Sequence, residues 1–257
     1  MADSVYMSEH ITKSQLEFLK LLDDYEIELF KFSEIELLLE QKFDNLSEVL
    51  ESLVDKELLV RIEKGKFRRQ SFRYEYVIGT FIVENSAVAY WSALNLHGLT
   101  EQFSNTVFIQ TTTQKNNKSI LGTSYKSVRI APNKRTGIIQ NGYGNLQYSI
   151  TDVEKTIVDF FDLPQHSGGY VELIRAVSQA KMQASKLVDY CQAVNNIAVT
   201  KRIGYLVKLL QIPSMESFID FAKMQVKNKN NLFDPQGLEK GEFVAECSMR
   251  QNSDNPG

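Results

Sequence analysis

Six basic side chains crowd into residues 61–73 of this sequence, Arg61, Lys64, Lys66, Arg68, Arg69 and Arg73, with Glu63 the single acid among them. Cations at this density do one kind of chemistry well: they replace the counterions of a polyanion. If six of them neutralise phosphates, log affinity falls with log salt at a slope of about −5. A second basic set, Lys115, Lys118, Lys126, Arg129, Lys134 and Arg135, lies in residues 102–151, a stretch with no Asp or Glu. Residues 1–60 carry five Lys/Arg against fifteen Asp/Glu, and the whole 257-residue chain is only −3. Two cationic islands in an acidic chain read as contact surfaces. The competing reading of the first island is a charged edge that keeps β-strands from sticking to other chains.

Catalytic patterns are not in evidence. The sequence holds no G-x-S-x-G, no G-x-x-x-x-G-K-[ST] and no H-E-x-x-H. His10, His97 and His166 stand far apart without metal-ligand spacing, and His97 just before Gly98 suits a helix C-terminus. The Gly-x-Gly of "QNGYGNL" lies between strand-like runs, not ahead of a helix, so it does not suit a phosphate cradle. "DVEK" from Asp152 reads as a first helical turn, not as a nuclease fragment. Cys191 and Cys247 cannot build a disulfide framework and read as inert. Trp91 reads as core ahead of ligand stacking, and Gly204 in "RIGYLVKLL" as a site of close helix packing. The expectation is a protein that is not an enzyme, with no cofactor and no metal.

The elements that must present the first island are legible in outline. "TKSQLEFLKLLDD" opens on a Thr12 cap, "FSEIELLLEQ" pairs Ser33 with Glu36 as a capping box and turns Ile35, Leu38 and Leu39 inward, and "DNLSEVLESLVDKELL" gives a third apolar stripe. "LLVRIEKGKFRRQ" then alternates around Lys64-Gly65-Lys66 as a hairpin. Three helices and a hairpin with a basic tip are the order of a winged helix-turn-helix, whose third helix enters a major groove while the wing meets backbone. On that third helix Ser47, Ser52 and Lys56 are candidate DNA contacts, although Glu48, Glu51 and Asp55 share its polar face. A second domain starts near Tyr76. It opens with the helix "NSAVAYWSALNLHGLT", capped by Asn85 or Ser86, and continues with the β-rich runs "NTVFIQTTT", "YKSVRIA", "TGIIQ" and "NLQYSI". A helical part follows from a Thr151-x-x-Glu154 capping box onward.

The fold class expected is therefore α+β: a winged helix-turn-helix over 1–76, a mixed domain with a small, mostly antiparallel sheet and a helical C-terminal part over 77–245, and a disordered tail over 246–257. An N-terminus without an apolar run, and no stretch near the roughly 20 apolar residues of a membrane span, lead to an expected cytoplasmic location without membrane contact.

"SALNLHGLTEQ", "NTVFIQTT", "SITDVEKTIVDFFDLPQHSGGYVELIRAV", "KRIGYLVKLL" and "NLFDPQGLEKGEF", in that order, resemble the AbiEi family, the antitoxins and transcriptional regulators of type IV abortive-infection toxin–antitoxin systems. The resemblance covers nearly the whole chain. It implies a non-enzymatic phage-defence antitoxin that binds inverted repeats in double-stranded DNA at its own promoter, represses its operon, and antagonises a nucleotidyltransferase-like toxin without need of a stable complex. It also implies that Arg61 to Arg73 and Lys115 to Arg135 carry the DNA-binding charge. Two other readings stand beside it: a protein-interaction module whose acidic winged domain docks a basic partner, and a ligand-sensing regulator with Trp91 in a pocket.

Overall fold

In the computed structural model, residues 11–226 are described, together with the short pieces 231–233, 242–244 and 249–251. The chain divides into two compact units, one of residues 1–82 with 142–147, the other of residues 83–141 with 148–257. The architecture is α+β throughout.

The first unit runs α1 (Lys13–Asp24), β1 (Leu29–Lys31), α2 (Ile35–Leu38), α3 (Leu46–Asp55), β2 (Leu59–Glu63), β3 (Lys66–Arg69) and α4 (Glu75–Ile82). Thr12 caps α1 as its type predicts, its hydroxyl accepting from the Gln15 amide while the Gln15 side chain accepts from the Thr12 amide. β1 is too short for its alternation to stand out in the sequence, yet it is the outer strand of an antiparallel sheet ordered β1–β3–β2. α2 differs from expectation. It is a single turn with Glu34 at its N-cap and no side-chain cap, and the Glu36 carboxylate instead accepts from the Phe43 amide at 2.9 Å. Ile35 and Leu39 face inward, but Leu38 is 46% exposed and Leu37 82%. Phe18, Phe30 and Phe67 make the centre of this core, Phe30 stacked on Phe67 at 5.5 Å and edge-on to Phe18 at 5.8 Å, with Leu50 and Leu53 of α3 beneath.

The second unit begins with β4 (Ser86–Val88), and α5 (Tyr90–Leu96) follows with Ala89 at its N-cap. The expected single helix from Asn85 is thus a strand and a helix, because residues 86–88 are buried in pairing with two neighbouring strands. Next come β5 (Thr106–Thr111), β6 (Lys118–Ile120), β7 (Thr123–Arg129), β8 (Ile138–Asn141) and β9 (Tyr148–Thr151). They complete a six-stranded mixed sheet ordered β6–β7–β5–β4–β9–β8, larger than the small sheet expected. β4–β5, β6–β7 and β8–β9 pair antiparallel, while β5–β7 and β4–β9 pair parallel.

The helices α6 (Val153–Asp162), α7 (Tyr170–Gln179), α8 (Ala184–Val194), α9 (Ile197–Leu209) and α10 (Glu216–Met224) follow, then β10 (Asn231–Leu232), β11 (Glu242–Val244) and β12 (Met249–Gln251). The cap of α6 is Asp152, not Thr151: the Asp152 carboxylate accepts from the Lys155 amide, while Thr151 closes β9. Gly204 works as its position predicts, since a Cβ there would come within 2.5 Å of the Ala222 Cβ on α10. Within 246–257, residues 249–251 form a strand and the remainder lies outside the described residues, as does Cys247. No helix among the described residues is long and apolar enough to cross a membrane.

Candidate nucleic-acid interface

The hairpin forms where alternation and glycine demand it. Leu59 and Ile62 point inward from β2 and Phe67 from β3, and Gly65 turns the chain at φ 70°, a left-handed conformation that glycine adopts without strain. A register shift between Arg61 and Glu63 sets Arg61 opposite Phe67.

The six basic residues of 61–73, five on the hairpin and Arg73 in the connection to α4, have separate fates, and three correct the expectation of phosphate contact. Arg68 is 2% exposed, and its Nη1 donates to the carbonyls of Arg69, Gln70 and Phe72 at 2.7, 2.8 and 3.0 Å. It is a cross-brace for the turn after β3, because burial without partners would cost a cation far more than these bonds return. Lys66 is largely withdrawn: its Nζ donates to the carbonyls of Phe81 and Ile82 at 3.1 and 2.9 Å and lies 3.6 Å from Glu63. α4 thereby anchors to the hairpin, so the first unit continues through Ile82. Arg69 pairs with Asp23 of α1 at 2.5 Å and is mostly covered. Arg61 is more open, its side chain 42% exposed, but Nη2 is ion-paired with Glu51 of α3 and the guanidinium lies 5.5 Å from the Phe67 ring centre. Lys64 and Arg73 are exposed, and neither makes a side-chain hydrogen bond or ion pair among the described residues.

α3 contributes less cation than its sequence suggests. Lys56 donates to the Gln15 side chain of α1 at 2.6 Å, which draws it off the outer face, and Ser52 is half-buried. Ser47 is exposed. With Phe32, Leu50, Glu51, Arg61, Lys64, Gly65 and Phe67 it lines a groove of about 450 Å³ between α3 and the hairpin. Of the expected contacts in this unit, the structure therefore brings Ser47, Arg61 and Lys64 to one concave surface.

The second island does not assemble into one face. Lys118 lies opposite Tyr125, and Tyr125 and Arg129 alternate onto the same side of β7, whereas Lys126 points to the other side and sits 5.5 Å from the Phe108 ring centre. Lys134 is ion-paired with Asp162 at 2.5 Å, a correction to its expected role, since the pair is partly buried beside α6. Arg135 is exposed with Nε donating to the Asn85 carbonyl at 3.3 Å, and Arg129 is exposed. Lys115 and Lys118 are half-buried and make contacts within the chain.

Some polar groups of the second unit were not singled out from the sequence. Lys155 has no exposed surface and is ion-paired with Asp159 one turn on. Burial pushes the Asp159 carboxyl up to about 6, against the pull of Lys155. Tyr90 is fully buried, and burial raises its phenol, with Asp159 adding to the effect. The i, i+4 spacing on α6 was a visible signal; their burial was not. His97 engages the Thr151 carbonyl at 2.7 Å, Trp91 is only half-buried with Nε1 donating to the Gln102 carbonyl at 3.2 Å, and burial pushes the Cys191 thiol up to about 12.

No family model and no curated protein matches the sequence. Among solved structures the chain is similar to the RV2827C protein from Mycobacterium tuberculosis, with a TM-score of 0.65 at 12% identity over 94% of this chain and 92% of that one. At that identity the likeness is one of fold.

Proposed function

We propose that the first unit is a winged helix-turn-helix and that the protein is a non-enzymatic, DNA-binding repressor of the antitoxin class. Its targets are inverted repeats at its own promoter. The observation that supports this reading is the element order α1–β1–α2–α3–β2–β3 with strand order β1–β3–β2, the order of a winged helix-turn-helix, together with the groove between α3 and the hairpin that Ser47, Arg61 and Lys64 line. The antitoxin role, with a nucleotidyltransferase-like toxin as functional partner, rests on the AbiEi resemblance. The test is fluorescence anisotropy with a labelled duplex from upstream of the protein's own reading frame. Wild type should bind, and Lys64→Glu with Arg73→Glu should weaken binding at least tenfold with an unchanged far-UV dichroism spectrum. Unaltered binding by the double variant would remove the wing from the mechanism.

A second reading has its own observation. Phe32, Leu37 and Leu38 are exposed apolar side chains on or beside α2, in a segment rich in acids. Such a surface suits a basic protein partner. Co-purification with the product of the adjacent gene, lost in Leu37→Glu while duplex binding is absent in wild type, would favour it.

A further inference from the structure

Arg61 differs from every other cation of the hairpin. Lys66, Arg68 and Arg69 are covered, while Lys64 and Arg73 have no side-chain partner among the described residues. Arg61 alone is both exposed and held. Glu51 of α3 accepts a hydrogen bond from Nη2, and the Phe67 ring lies beneath the guanidinium. The remaining N–H groups make no hydrogen bond among the described residues, and the side chain lines the groove that Ser47 and Glu51 share, one helical turn apart on α3.

A cation meant only for phosphate needs neither restraint, since any ammonium near the backbone will serve. A guanidinium fixed by a carboxylate and an aromatic face is prepared for a planar, two-acceptor target. In duplex DNA that target is the O6/N7 edge of guanine. The pairing also answers the difficulty of an acidic recognition helix: Glu51 is neutralised by Arg61, so it need not repel the backbone.

We propose that Arg61 is a specificity-determining residue that reads a guanine edge, with Glu51 as its positioning residue. This rests on the DNA-binding reading above and assigns the side chain a base in place of a phosphate. The two roles respond differently to lysine: a phosphate contact keeps its charge in Arg61→Lys, whereas a bidentate contact is lost.

The experiment is in vitro selection of the full-length protein on a randomised double-stranded oligonucleotide library, for wild type, Arg61→Lys, Arg61→Ala and Glu51→Gln. Each variant's fold is checked by dichroism, and binding is measured on the selected motif and on its single-base variants. The wild-type motif should contain a guanine whose preference over the other bases drops about tenfold in Arg61→Lys and Arg61→Ala, and falls in part in Glu51→Gln, while preferences elsewhere in the motif persist. Uniform weakening by Arg61→Ala that Arg61→Lys restores would overturn the proposal in favour of a phosphate contact. A cytosine preference lost only in Glu51→Gln would overturn it in favour of direct reading by the carboxylate. A wild-type protein that enriches no motif and binds no duplex would overturn both this inference and the DNA-binding reading.

Discussion

Replacing Arg68 by alanine would leave the carbonyls of Arg69, Gln70 and Phe72 inside the turn after β3 without their donor. Arg68→Ala should therefore destabilise the protein by about 3 kcal/mol, seen as a lower urea midpoint at unchanged m-value. The duplex-binding salt slope of the folded variant should stay as in wild type. Sequence reasoning treats Arg68 and Lys64 alike, as cations of one island. Strand alternation separates them only once the register is known, and the shift between Arg61 and Glu63 is invisible in a list of residue types. The ion partners were equally hidden: Glu51 is 10 residues from Arg61 and Asp23 is 46 from Arg69, separations that no local pattern encodes. What could be read was the residue class and the hairpin that carries it.

At the scale of elements, legibility followed length. α7 to α10 run nine to thirteen residues, enough for an apolar stripe to repeat, and they make up the helical part expected after residue 151. β1, β4 and β6 have three residues each, too few for a period of two to show. The start of α6 is a sharper case. Thr151-x-x-Glu154 matches a capping box, but Asp152, one residue later, can reach further: its carboxylate accepts from the Lys155 amide at 2.9 Å, from Tyr190 Oη at 2.8 Å and from Lys186 Nζ at 3.1 Å. Asp152→Ala should thus cost about 3 kcal/mol of stability, the cap plus two side-chain bonds at a nearly buried site, against about 1 kcal/mol for Thr12→Ala at the exposed start of α1. Paired urea titrations measure the difference. Equal losses would mean that Asp152 acts as a cap alone.

For the molecule as a whole, the uneven charge along the chain has an internal use. Acids of the first sixty residues, Asp23 and Glu51, meet hairpin cations, and Glu63 lies beside Lys66. The segment imbalance that suggested a strongly cationic ridge is thus partly cancelled by folding. With Lys64 and Arg73 left to meet phosphates from this unit, and Arg61 assigned to a base, the slope of log affinity against log salt on a short duplex should be about −2, not the −5 of six contacts. Anisotropy titrations between low and physiological salt decide it. A slope steeper than about −5 would mean that the second basic set takes part despite its division between two sheet faces.

The excursion between β8 and β9 carries a practical consequence. Residues 142–147 group with the first unit, where Asn145 donates to the Glu26 carbonyl at 3.2 Å. The polypeptide therefore passes between its two halves three times, not once. A gene truncated after codon 82 would encode a fragment lacking a piece of its own body, so this N-terminal unit is no cassette that recombination or a protease could lift out whole.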